Sequence, residues 1–239
     1  MSQGISTATR EIMWNIPPSF KVAMYLMFLL AFAVLVKGLW DKWVFVTGTR
    51  GWSGHKKLFP KKLQWMALAK TLLLQGKIKR KTHVGFFHAL IYYGFIILWI
   101  ATDLVAIHYD TPFKVFQGTT YIVISFLADM AGVAMLLGLT LAFYRRYILR
   151  PPSLSATHPH QELYMYLMLL SLVVVGFWIE GLRILGTGLP IGEKTWAPIG
   201  WIFALLFQSL AWSEETLSLL FRCLWFFHMT STMVFIASF

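Results

Sequence analysis

Val84-Gly85-Phe86-Phe87-His88-Ala89-Leu90-Ile91-Tyr92-Tyr93-Gly94-Phe95-Ile96-Ile97-Leu98-Trp99-Ile100-Ala101-Thr102-Asp103-Leu104-Val105-Ala106-Ile107 decides the fold: in this run Asp103 is the one formally charged side chain. As a helix it reaches about 36 Å, enough to cross a hydrocarbon core of about 30 Å. The run is too long for a strand, and backbone in lipid must satisfy its own hydrogen bonds, so a transmembrane helix is forced. Further apolar runs flank it: Phe20 to Trp40 before, and Gly118 to Tyr144, Leu163 to Leu185 and a run starting near Leu217 after. Pro198 to Trp212 is also apolar but lies between Glu193-Lys194 and Glu214-Glu215. At about 15 residues it is too short to cross and reads as an interfacial or re-entrant helix. The expected fold is therefore all-α, an integral membrane bundle of about five transmembrane helices plus one interfacial helix on the periplasmic side.

Composition agrees. Of 239 residues, 58% are hydrophobic and 13% charged, too few charges to coat a water-soluble globule and too many apolar side chains for a disordered chain. The net charge of +11 does not indicate nucleic acid as a partner, because that charge is confined to one loop. Cys223 is the single cysteine, so the chain forms no internal disulfide and holds no iron–sulfur cluster, which takes about four thiolates. Residues 1–19 are polar and mixed, and the apolar run after them is flanked by Lys21 and Lys37 without a small-residue cleavage site, so it reads as a retained span. The last run is still apolar at Phe239, which suggests a chain truncated within its last helix.

Orientation follows from charge. Residues 37–81 carry Lys37, Lys42, Arg50, Lys56, Lys57, Lys61, Lys62, Lys70, Lys77, Lys79, Arg80 and Lys81 against Asp41 alone, and Arg145, Arg146 and Arg150 follow the third span. Segments 103–117 and 180–222 are slightly acidic. The positive-inside rule puts the basic loops in the cytoplasm and the N-terminal segment outside. Within the basic loop 41–83, Leu63, Trp65, Met66, Leu72 and Leu73 interleave with lysines, the pattern of an amphipathic helix on anionic lipid; a loop basic purely for topology and a docking surface for an acidic partner are the two readings of its charge.

Polar residues inside spans are rare and therefore informative. Of seven histidines, His88 (after Phe86-Phe87) and His228 (after Trp225-Phe226-Phe227) sit within apolar runs. A neutral imidazole in such surroundings either ligates haem iron, with aromatic rings packing the macrocycle, or bonds to a neighbouring helix. Asp129, with Ser125 one turn before it, reads as a helix tie or a proton carrier. Glu180 and Arg183, three residues apart, read as an ion pair. Asp103 closes the densest apolar part of span two.

Spans two to five resemble the haem-b membrane subunit of respiratory nitrate reductase, the gamma subunit. They resemble more closely the N-terminal domain of membrane-bound iron–sulfur oxidoreductases related to heterodisulfide reductase, including electron-transfer-flavoprotein:menaquinone oxidoreductases. The resemblance covers roughly residues 40–239 and rests on Gly85-Phe86-Phe87-His88-Ala89-Leu90-Ile91-Tyr92-Tyr93-Gly94-Phe95, Tyr144-Arg145-Arg146-Tyr147 with Arg150-Pro151, Gly176-Phe177-Trp178-Ile179-Glu180-Gly181-Leu182-Arg183-Ile184 and Trp225-Phe226-Phe227-His228. It implies a cytochrome b-like membrane domain over 20–239, with one or two b-type haems carrying electrons between (mena)quinone and a cytoplasmic iron–sulfur module. That module would be a partner or a following domain, supplied by a soluble donor such as an electron-transfer flavoprotein, in a bacterial-type inner membrane. It also implies His88 and His228 as iron ligands.

The nitrate reductase subunit has a histidine ten residues after the first ligand, where this chain has Leu98. His108 is the other candidate on that side and needs a bend near Asp103 to align with His88; otherwise it is a histidine at the membrane exit. His83, in the headgroup zone, reads as an interfacial side chain, with ligation second. Asp103, Glu180, Arg183 and Asp129 are candidates for quinone or proton contact. The rival readings are a transporter with Asp129 and the Glu180–Arg183 pair along its path, or a haem-free membrane anchor for a soluble enzyme.

Overall fold

The computed structural model describes residues 8–48, 71, 82–151 and 159–238. The described regular elements are all helices: α1 (Pro18–Thr47), α2 (Thr82–Asp110), α3 (Gly118–Phe143), α4 (Pro159–Gly186), α5 (Glu193–Trp196), α6 (Pro198–Ser209) and α7 (Glu214–Ala237), with a π-helical turn, Tyr144–Leu149, extending α3. Five are long and apolar enough to cross a membrane: α1, α2, α3 with its π turn, α4 and α7. The chain is a multi-pass membrane protein of the expected class. Its helices run past the apolar limits by several residues because the flanking polar residues continue the backbone hydrogen bonding. The basic loop lies almost wholly outside the described residues, as do His55 and His158.

Two compact units divide the chain, residues 1–16 with 81–228, and residues 17–80 with 229–239. In the second, α1 starts on Pro18, whose fixed φ suits a first helical turn, and ends at Gly48, whose φ of 64° lets its N–H reach Val44 O at 2.8 Å. Its 30 residues reach about 45 Å, well beyond a hydrocarbon core.

In the first unit α2 and α3 pack closely through small residues. A Cβ on Gly138 would stand 2.8 Å from the Ile91 side chain and 3.0 Å from the Phe87 carbonyl. Lipid gives helices no hydrophobic reason to associate, so such close approach carries the pairing. Met135 and Leu139 of α3 and Val173 and Phe177 of α4 form a buried cluster, with Ile91, Phe95 and Leu98 of α2 and Ile199 and Phe203 of α6 packed on it. Phe177 and Phe203 stack with ring centroids 6.1 Å apart.

Residues 8–16 form a strap over one end of this unit. Ala8 O accepts the Gly118 N–H at 2.6 Å, Trp14 packs edge-on to Phe221 at 4.8 Å, and Arg222 donates to Asn15 O at 2.9 Å. The strapped end therefore gathers the N-terminal segment with the start of α3 and the first turns of α7. At the other end Arg146 pairs with Glu162 at 2.6 Å, and the π turn closes on Arg150 in a left-handed conformation (φ 46°) just before Pro151.

Candidate functional site

Asp129 stands eleven residues into α3, about 16 Å along its axis. Its Oδ2 accepts the N–H of Ile199 at 2.7 Å and of Gly200 at 3.4 Å. Those are the second and third residues of α6, whose first-turn donors have no partner within the helix. A carboxylate from another helix thus caps α6 and pins its N-terminus deep in the unit. The short apolar helix expected between the fourth and fifth spans is therefore present as α6, and its first turn is tied to α3 by the Asp129 carboxyl group. Gly200 permits the seat, since a Cβ there would meet Glu180 Cγ at 2.7 Å.

Beside it lies a buried charge cluster. Glu180 Oε1 is 2.7 Å from Arg183 Nη2, and Glu180 Oε2 is 3.2 Å from Arg10 Nη1 of the strap. Arg183 Nη2 also reaches Glu193 Oε1 at 3.1 Å, and that oxygen accepts the Tyr121 hydroxyl at 2.7 Å. Arg183, Glu193 and Tyr121 are 3%, 2% and 0% exposed. A single buried ion would be too costly; charges survive here because each has an opposite partner. Glu180 and Arg183 form the expected pair, but Arg10, Tyr121 and Glu193, which complete it, were not among the sequence candidates. Tyr121 stands one turn before Ser125 and two before Asp129, a polar i, i+4, i+8 pattern that was there to be read. The Glu193–Tyr121 contact joins residues 72 apart and left no local signal.

The histidines fall in different surroundings. His88, in the second turn of α2, stacks on Tyr92 one turn later, with ring centroids 5.9 Å apart and planes 15° apart. Its Nε2 is buried without a hydrogen-bond partner among the described residues. His228 stands beside Gly176 of α4, where a Cβ would lie 3.6 Å from His228 Cε1. Nothing described brings the two rings together. His108 is engaged locally. Its Nδ1 accepts the Phe116 N–H at 2.9 Å, and Lys114 Nζ donates to its carbonyl at 2.7 Å, which folds residues 111–116 back on α2. His83 lies in the first turn of α2, with its side chain outside the described residues. Leu98 is packed on the Met135–Phe177 cluster. Asp103 is exposed and hydrogen-bonded to Trp99 one turn earlier.

A cavity of about 890 Å³ opens at the strapped end, lined by Trp14, Asn15, Phe207, Trp212, Glu214 and Ser218 among others. Asp103, Asp129, Glu180 and Arg183 do not line it. Among the described residues there is no group of three or more His, Cys, Asp or Glu placed to hold a metal ion; a haem iron held by two axial imidazoles does not require one.

No family model and no solved structure matches the chain. It is 28% identical over 244 aligned residues to an EtfAB:quinone oxidoreductase from Syntrophomonas wolfei subsp. wolfei (strain DSM 2245B / Goettingen), an alignment that takes in 98% of this chain and 33% of that protein. The chain thus spans about a third of the length of the relative it matches.

Proposed function

We propose that the chain is the membrane part of a quinone-linked oxidoreductase, a cytochrome b-like domain passing electrons between (mena)quinone and a cytoplasmic iron–sulfur module supplied by an electron-transfer flavoprotein. The observation that carries the reading is coverage: likeness to an EtfAB:quinone oxidoreductase runs through 98% of the chain rather than through one span. On this reading the flavoprotein contact and the iron–sulfur clusters belong to other parts of the assembly, since a single cysteine supplies no cluster. The membrane is the bacterial inner membrane, with the N-terminal segment and strapped end outside and the basic end in the cytoplasm.

The residues fit haem b. His88 Nε2 is a buried imidazole nitrogen that no described protein group engages, in aromatic surroundings, and such a nitrogen is a good axial donor to iron. His88 is the ligand at the basic end. His228, next to Gly176 of α4, is the ligand of a second position. Haem supplies one-electron transfer between a two-electron quinone and one-electron iron–sulfur centres. His108 stays outside the ligand set: an imidazole whose Nδ1 accepts an N–H carries its proton on Nε2 when neutral, so neither nitrogen is open. His83 we read as an interfacial side chain.

The test is the reduced-minus-oxidised spectrum of the full-length protein purified from a haem-replete host. A low-spin b-type spectrum whose haem is reoxidised by a menaquinone analogue is expected. Absence of haem together with absence of quinone turnover would replace this reading with a haem-free anchor or a transporter.

A further inference from the structure

Tyr121, Ser125 and Asp129 are 0%, 7% and 6% exposed and stand four residues apart on one face of α3. They make a polar line about 12 Å long in a helix that is otherwise apolar on that face. At one end Tyr121 donates to Glu193 Oε1; at the other Asp129 caps α6. Two atoms along the line have no hydrogen-bond partner among the described residues although buried: Ser125 Oγ and Glu193 Oε2. Arg10 Nε and Trp196 Nε1, beside the same cluster, are in the same condition; Trp196 packs against Tyr121 with ring centroids 6.1 Å apart. Leaving such groups unsatisfied costs about 1–3 kcal/mol each, so a set of them in one place has a use other than stability. The charge count points the same way. Arg10 and Arg183 pair with Glu180 and Glu193, whereas Asp129, held by the Ile199 and Gly200 N–H groups, has no ion pair among the described residues, which leaves the place of one positive charge unfilled.

We propose that Glu193, Tyr121, Ser125 and Asp129 form a proton path from the strapped end into the middle of the unit, with water bridging the gaps between them. The proton in transit is the positive charge that the cluster lacks. The inference rests on the quinone reading for its purpose. A quinone that takes two electrons from the reduced flavoprotein, by way of the iron–sulfur module, also takes two protons to become hydroquinone. The path draws such protons from the side of Glu193 and delivers them at Asp129, and it runs in reverse when hydroquinone is oxidised. Ser125 is its sharpest probe: its Oγ has no hydrogen-bond partner among the described residues, so Ser125→Ala breaks no described hydrogen bond.

The experiment uses full-length protein in liposomes, with reduced flavoprotein as donor and a menaquinone analogue as acceptor. Ser125→Ala should slow quinone reduction roughly a hundredfold or more, the low end of what a positioned proton carrier contributes. It should enlarge the effect of heavy water while haem content and haem reduction by the donor stay at wild-type values. Ser125→Thr, which restores a hydroxyl, should recover the rate. A Ser125→Ala rate and heavy-water effect equal to wild type would overturn the path. Infrared spectra separate this failure from failure of the quinone reading. A protonated-carboxyl band that shifts in heavy water and vanishes in Asp129→Asn is expected even if the wild type turns over no quinone, and absence of that band overturns the path by itself.

Discussion

At the strapped end of the first unit Glu180 lies between two guanidinium groups, Arg10 at 3.2 Å and Arg183 at 2.7 Å. Toward the basic end His88 stacks on Tyr92 and leaves Nε2 without a described hydrogen-bond partner. Both regions bury polar atoms in an apolar bundle, and burial costs about as much in either. Although single atoms such as Glu193 Oε2 and Arg10 Nε have no hydrogen-bond partner among the described residues, the first answers the cost of its charges from within the chain: α3, α4, α5 and the strap each contribute a group to its ion pairs and hydrogen bonds. The second does not, and an unanswered buried nitrogen is where a bond to something outside the protein is expected. On this comparison the charge cluster is first a matter of architecture and His88 first a matter of cofactor binding.

The largest expected effect tests the second half of that contrast. His88→Ala should abolish the haem component at the basic end altogether, because the iron would keep one protein ligand and gain an imidazole-sized void. His228→Ala should leave that component in place. Spectra and potentiometric titration of the two variants read this directly. Wild-type haem content in His88→Ala would mean that the open nitrogen marks nothing, and the contrast between the two ends would lose its functional meaning.

The first half is tested by removing one charge. Arg183→Leu leaves Glu180 and Glu193 facing each other's charge in an apolar interior. Breaking a buried pair from one side costs about 3–5 kcal/mol, much of the stability of a typical domain. Thermal unfolding in detergent, followed by circular dichroism, should show a large loss. Adding Glu193→Gln should return part of it, since the pair acts as a unit. A variant as stable as wild type would show that the cluster contributes no architecture.

What was legible in the sequence follows the range of the interactions. Five spans were readable because run length is a local property, and lipid leaves a long apolar run no alternative to a helix. His88 and His228 stood out as polar interruptions of such runs. The seating of α6 was not readable: Asp129 and Ile199 are 70 residues apart, and an apolar stretch of that length is the same on a surface or inside a bundle. Nor was the strap, since residues 8–16 have no periodicity and are held by single contacts such as Trp14 on Phe221 and Arg10 on Glu180. The local partner of His108 was not readable for a related reason. That partner, the Phe116 N–H, exists only once residues 111–116 have turned back on α2.

Asp129 should give a smaller change than Arg183. Losing a capping carboxylate costs about 0.5–2 kcal/mol, so Asp129→Ala should loosen the N-terminus of α6. Asp129→Asn, which keeps an amide oxygen for the Ile199 N–H, should lose less. Hydrogen exchange at Ile199 and Gly200 reports the difference. Equal exchange in all three proteins would mean that α6 is held by Phe203 and Gly200 packing alone.

The smallest expected effect sharpens the comparison by holding geometry constant. Lys37 and Asp41 of α1 approach at 2.6 Å, as close as Arg183 and Glu180 at 2.7 Å, but their side chains are 78% and 60% exposed against 4% and 18%. The pair lies toward the end of a helix longer than the membrane is thick, so water and headgroups already solvate both charges. A pair of this kind, four residues apart on a helix, is worth about 0.3–0.5 kcal/mol. Lys37→Gln should therefore move the unfolding temperature far less than Arg183→Leu does, and added salt should shrink the difference further. A Lys37→Gln loss comparable to that of Arg183→Leu would show that contact distance, not burial, sets the value of these pairs. The strong architectural role assigned to the strapped end would then have to be given up, because that role depends on the cluster being out of water.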